Sequence, residues 1–242
     1  MSSLKGILMF VLAAFAALCL CFVPASAQKK GGFVRQRAAD AARHSNDAAA
    51  VLNKVMAVPD KAIPRELLEA AEAVAVCPGV LKAAFVVGGR KGDCVISRRV
   101  TGGWSAPAFF HMGGASVGLQ IGAAKTDLVL LFMNEDALKG LLEDKLEIGG
   151  EAEATAGPVG RAAGAETTPN LKAGILSYSR SRGLFAGLSL KGVAITPDNN
   201  LNEAFYGKKA TELIASQTDT PVPTQVRAFP LALARYSVRL PH

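Results

Sequence analysis

From Gln36 to Val58 the apolar positions recur with helical spacing. Val51, Leu52, Val55 and Met56 make a stripe, which predicts an alanine-rich helix that Pro59 ends. The first half of that helix, RAADAARHSNDAAA, is only weakly amphipathic, and Lys29 to Gly32 reads as a flexible start. Pro64 suits the first position of a second helix, RELLEAAEAVAV, with Glu66 and Glu69 close to the positive end of its dipole. Leu67, Leu68, Ala71, Val74 and Ala75 form its core-facing stripe, and it must stop before Pro78.

Beyond Pro78 the period changes from helical to two. Val80 to Gly88 and Cys94 to Arg99 read as a hairpin turning over Gly89 to Asp93. From Ser116 to Gly122 the apolar Val117, Leu119 and Ile121 alternate with small or polar residues. Lys145 to Gly157 and Phe185 to Gly192 repeat the pattern. Such alternation marks strands with one buried face, hence a largely antiparallel sheet or barrel. Asn134 to Leu142 predicts a short helix capped by Asn134, and Tyr206 to Ala215 another. Pro221, Pro223, Pro230 and Pro241 make the tail read as extended, with Ala232 to Leu240 as a potential edge strand.

Composition sharpens this picture. Of 24 glycines, 20 fall between Gly79 and Gly192, inside predicted strands as well as at turns. Interior glycine marks bulges, strong coiling or close backbone approach. The fold class is therefore α+β: a glycine-rich, largely antiparallel sheet or barrel with N-terminal helices and short helices packed on it. Three strings stand out in the glycine-rich stretch, GGWSAPAFFHMGG (102–114), AGPVGR (156–161) and YSRSRGLFAG (178–187). With VGGRKG (87–92) before them and FYG (205–207) after, they resemble the SYLF family of lipid-binding domains, in matching order from about Ile63 to Gly207.

The N-terminus has the form of a secretory leader. Lys5 is a short basic region, Ile7 to Val23 is nearly continuously apolar, and Ala25-Ser26-Ala27 offers small residues for cleavage. A retained membrane anchor is the alternative for this run. Leu18 and Leu20 precede Cys19 and Cys21 where an acylation site would have a small residue. The expected organisation is a leader over 1–27, a basic helical extension over 28–63, a SYLF domain over 64–216 and a Pro-containing extended tail over 217–242. Cleavage leaves Cys77 and Cys94, which either form a disulfide in an oxidising compartment or serve as two small buried residues.

Charge is unevenly placed. Residues 64–216 carry 16 basic and 16 acidic groups, whereas 28–63 carry seven against three, and the tail three against one. A basic flank on a neutral domain suits an anionic surface. Export and the lack of an aromatic stacking platform exclude nucleic acid, leaving a phospholipid surface. The resemblance implies the same: eukaryotic members bind phosphoinositides through a basic amphipathic N-terminal segment, and some yeast members bind actin. An exported chain is expected to meet anionic membrane phospholipids and not actin. By position, the resemblance assigns lipid binding to Lys29, Lys30, Arg35, Arg37 and Arg43.

The remaining motifs point away from catalysis, metals and cofactors, and none of the three is expected. Gly114-Ala115-Ser116-Val117-Gly118 matches G-x-S-x-G, but Ser116 heads a strand, and the histidine downstream is His242 on the tail. Three histidines and two distant cysteines fit no standard zinc spacing. Asp198 to Glu203 lacks the glycine and the final glutamate of a calcium loop and reads as a helix-capping turn. Trp104, Phe109 and Phe110 are either a plug closing the sheet or an interfacial anchor. Arg180 and Arg182 would share a strand face, to bind phosphate or to pair with Glu147, Glu151 and Glu153. The expected function is thus a non-enzymatic lipid-binding protein of the bacterial envelope, exported to the periplasm and peripherally associated with the membrane. Its alternatives are a protein-interaction module of the envelope and, third, a serine hydrolase using Ser116.

Overall fold

A computed structural model describes residues 25–58, 60, 62–85, 87–117, 122–150, 152–160, 174–216 and 221–237. The leader and the strand expected through residues 118–121 fall outside the described residues in whole or in part. Helix α1 (Ala25–Met56) includes the stretch expected to be a flexible start. It passes from a unit ending at Arg37 into the compact unit that begins at Ala38. Ala41, Ser45, Ala48, Leu52 and Val55 are buried along it, steps of three and four that keep one stripe on the core.

Helix α2 (Arg65–Ala70) starts after Pro64 and is much shorter than its apolar pattern suggested. Residues Ala73–Val76, read as its last turn, instead open strand β1 (Ala73–Phe85). An unbroken apolar run fits a helix stripe or a strand covered on both faces, and here the second holds. Val74 and Val76 enter one core, and Ala73, Ala75 and Cys77 enter another on the opposite face.

Strand β2 (Val87–Val100) follows so tightly that Phe85 pairs with Val87. The predicted turn over 89–93 is therefore strand, paired with β1 on one side and with residues 111–115 on the other. Its glycines serve sheet packing: a Cβ at Gly92 would lie 2.8 Å from Val80 Cγ2. After β3 (Gly103–Trp104) come β4 (Ala108–Val117) and β5 (Gly122–Phe132). A 3-10 turn at Asp136–Leu138 leads into α3 (Lys139–Leu142), and Asn134 Oδ1 accepts from Ala137 N at 2.9 Å as its cap.

The strand expected over 145–157 is two short ones, β6 (Leu146–Ile148) and β7 (Ala154–Ala156), broken where Gly149 takes φ +97°. Strands β8 (Ile175–Ser181), β9 (Leu184–Gly187) and β10 (Val193–Pro197) complete the sheet. Its order is β6-β10-β4-β2-β1-β5-β8-β7, with β3 on β2 and β9 on β8, and among the described pairs of strands only β7–β8 is parallel. Helices α4 (Asn199–Tyr206) and α5 (Ala210–Ala215) replace the single helix expected near 206–215. Gly207 at φ +67° ends the first, and Glu212 Oε1 accepts from Lys209 N to start the second.

The tail corrects the extended reading. Thr224–Val226 is a 3-10 turn and α6 (Ala228–Tyr236) a helix, with Phe229, Pro230, Ala232 and Leu233 buried. Pro230 lies in the first turn, where its missing N–H leaves no helical bond unmade, so the proline that argued against a helix is tolerated. Ser45 of α1 secures this end: its Oγ donates to Val226 O at 2.6 Å and accepts from Phe229 N at 3.2 Å. Helices α1, α2 and α6 cover one face of the sheet, and α3 and α5 the other. The central strands are thus buried on both faces instead of the one that alternation implied.

Candidate functional site

The described side chains of α1 divide at the same place as its charges. Lys29, Lys30, Arg35 and Arg37 are the four ionic residues between Ala25 and Arg37, with no carboxylate among them. From Ala38 to Met56 two acids, Asp40 and Asp47, balance Arg43 and Lys54. The side chains of Lys29 and Lys30 lie outside the described part. Arg35 is exposed and Arg37 half-buried. Arg43 is engaged by Asp40 at 2.9 Å, so it adds little net charge to the basic segment. The buried stripe begins at Ala41, so the apolar residues of the helix from there onward are held by the protein's own core.

The sites that could have carried chemistry are structural. Ser116 lies within β4 opposite Gly88, and the next described element is strand β5, where a nucleophile elbow would need a helix. Among the described residues no group of three or more His, Cys, Asp and Glu is placed to hold a metal. His111 lies between Asp93, at 2.9 Å, and Asp198, at 3.5 Å. Asp198 caps α4, its Oδ1 accepting from Leu201 N at 3.0 Å. His44 is tilted against Phe109, and burial lowers its pKa from the ordinary histidine value, with Arg43 adding to the effect and Asp93, Asp40 and Asp47 opposing it.

Trp104 is the plug and not the interfacial anchor. It is 6 % exposed, Phe109 and Phe110 still less, and its Nε1 donates to Ser237 Oγ at 3.0 Å. The Arg99 guanidinium lies 4.2 Å from the indole centroid, donating to Leu68 O at 2.7 Å and Ala71 O at 3.0 Å at the end of α2. Arg98 is buried, forks onto both oxygens of Glu135 and donates to Ile214 O at 3.0 Å. Both arginines border a cleft of about 570 Å³, but their bonds fasten helices to the sheet. Sequence reading passed over this pair, although two successive arginines ending an apolar strand are a visible signal. Arg182 stands in the β8–β9 turn at φ +48°, so it does not share a strand with Arg180. Arg180 pairs with Asp127 at 3.3 Å, and not with the predicted acidic row. Cys77 and Cys94 are joined as a disulfide between β1 and β2, with Cα atoms 4.1 Å apart.

The model of the Ysc84 family, described as Las17-binding protein actin regulator, matches residues 113–236. That is more than half of the chain. The chain belongs to the Ysc84, or SYLF, family. The Ysc84 match runs from β4 to the end of α6, so the helical tail is part of the family's matched region. LAS seventeen-binding protein 3 of Saccharomyces cerevisiae is 38 % identical over 169 residues, covering 68 % of this chain and 37 % of that protein. SH3 domain-containing YSC84-like protein 1 of Xenopus laevis is 34 % identical over 168 residues, covering 67 % and 50 %. The human protein of that name is 33 % identical over 169 residues, covering 69 % and 49 %. The chain thus spans half or less of the length of these relatives; the yeast protein is named for binding, and none of the three names states a reaction.

Proposed function

We propose that this Ysc84 protein is a non-enzymatic lipid-binding protein that docks on anionic phospholipid through the start of α1. The observation that carries the reading is the charge division of that helix: four cations and no carboxylate before Ala38, balance after it. Each cation near an anionic leaflet contributes on the order of 1 kcal/mol at low salt. The contacts are Lys29, Lys30, Arg35 and Arg37, with Arg43 as a minor one because Asp40 already engages it. Docking is mainly electrostatic, since Val51, Leu52, Val55 and Met56 are committed to the core.

The protein acts outside the cytoplasm, in the periplasm at the membrane surface. A leader-like sequence over residues 1–27 and the buried Cys77–Cys94 disulfide support that placement. The actin and Las17 connections in its relatives' descriptions do not carry over to an exported chain. Replacing Lys29, Lys30, Arg35 and Arg37 by glutamine tests the reading. The exported protein should lose most of its binding to phosphatidylglycerol-rich vesicles while its melting temperature stays unchanged. Full binding by that variant would refute the role of α1.

A further inference from the structure

Four neighbouring strands, β4, β2, β1 and β5, continue past both cores. Val80 and Met112 are the last buried side chains, and beyond them the described residues of the sheet are exposed or half-buried, with Gly88 the buried exception. Leu81, Lys82, Ala83, Gly89, Lys91, Ala115, Ala123, Ala124 and Lys125 are exposed there and Arg90 is half-buried. The register aligns Gly113, Lys91, Leu81 and Lys125 in one row across the strands, and Gly114, Arg90, Lys82 and Ala124 in the next. Because side chains alternate, Lys91 and Lys125 emerge on one face and Arg90 and Lys82 on the other.

Between Leu81 and Gly92, and between Met112 and Thr126, the sequence holds these four cations and no carboxylate. The acids that follow are engaged, Asp93 by His111 and Asp127 by Arg180. Among the described residues none of the four cations has a carboxylate within ion-pair distance. Arg90 directly opposes Lys82, a like-charge pair that weakens a sheet. A bound anionic surface would relieve it. Three rows further, about 10 Å along the strands, Val87 pairs with Phe85 on one side and Val117 on the other, so apolar residue types follow the cations toward the end of the sheet.

We propose that this projecting end of the sheet is a second membrane contact, seated end-on on anionic phospholipid through Lys82, Arg90, Lys91 and Lys125. The two rows are about 3.4 Å apart along the strands, so an end-on approach brings all four cations to nearly one depth. A polyanion laid against either face would reach only two of them. A flat charged layer is therefore the partner that uses the whole collar. The proposal takes its ligand from the membrane reading above, but its site is independent of α1.

The test uses the exported protein, phosphatidylglycerol-rich vesicles, and hydrogen–deuterium exchange of residues 81–91, 113–115 and 123–125. Replacing Lys82, Arg90, Lys91 and Lys125 by glutamine should weaken vesicle binding at least about tenfold. The melting temperature should not fall, since the Arg90–Lys82 repulsion is removed. In the unmodified protein, and in the variant with α1 neutralised, vesicles should slow exchange at these backbone amides. Unslowed exchange would overturn the proposal, whatever the variants bind. If the α1 variant alone loses all binding and the sheet end stays unprotected, the α1 reading stands and this one falls. Protection by heparin but not by vesicles would assign the collar to a soluble polyanion and overturn it too.

Discussion

Reducing the Cys77–Cys94 disulfide should lower the stability of the whole domain. Both cysteines are buried, in the core that β1 and β2 share with α3 and α5, and they are 17 residues apart in sequence. A loop of that size loses about 10 cal/mol/K of closure entropy, or about 3 kcal/mol at 25 °C. Reduction leaves both sulfurs in place and opens no cavity, so loop closure is the main contribution. For a domain of this size the loss lowers the melting temperature by roughly 6–12 °C. Buried sulfurs are shielded from reductant, so the protein is reduced in denaturant, refolded, and its free thiols counted by mass spectrometry. Oxidised and reduced samples are then compared by calorimetry at one pH. Two confirmed thiols with an unchanged melting temperature would refute the reasoning. It would also remove the disulfide as support for an oxidising compartment.

Two further outcomes follow from contacts in the core. Gly157→Ala should destabilise by about 1–3 kcal/mol, because the new Cβ would overlap the buried Tyr178 ring, with Cε1 at 2.6 Å. Tyr178 is held by Phe185, stacked at 5.5 Å, so an unchanged thermal melt would mean the ring is freer than it looks. His44, whose folded pKa burial depresses below the ordinary 6.5, gives a pH effect of defined sign. The unfolded chain takes up the proton first, so this contribution is full above about pH 6.5 and declines as pH falls through the folded value. Relative to His44→Gln, the unmodified protein should therefore lose melting temperature between pH 7.5 and pH 5, and a gap that widens in its favour would contradict the assignment.

The residues that announced themselves in sequence did so through local chemistry. Asn134 and Pro64 mark helix starts whatever surrounds them, and the stripe ending at Met56 has one helical reading. Glycine density foretold a closely packed sheet, and Gly157 and Gly92 are where close approach requires it. Ala73–Val76 were misread because a strand covered on both faces loses its alternation. Gly89 to Asp93 carried turn residues, yet neighbouring strands keep them extended. The helix in the tail was hidden by Pro230, whose place in a first turn only the start at Ala228 explains. At the candidate site the α1 cations were visible as sequence charge. The collar was not, because Lys82 and Lys125 are brought beside Arg90 and Lys91 only by the strand register.

Co-sedimentation of the protein with phosphatidylglycerol-rich and with pure phosphatidylcholine vesicles, at low and high salt, tests the membrane account most directly. Binding to the anionic vesicles alone, lost as salt screens the lysine and arginine contacts, is the predicted result. Equal binding to both vesicles, or binding to neither, would contradict it.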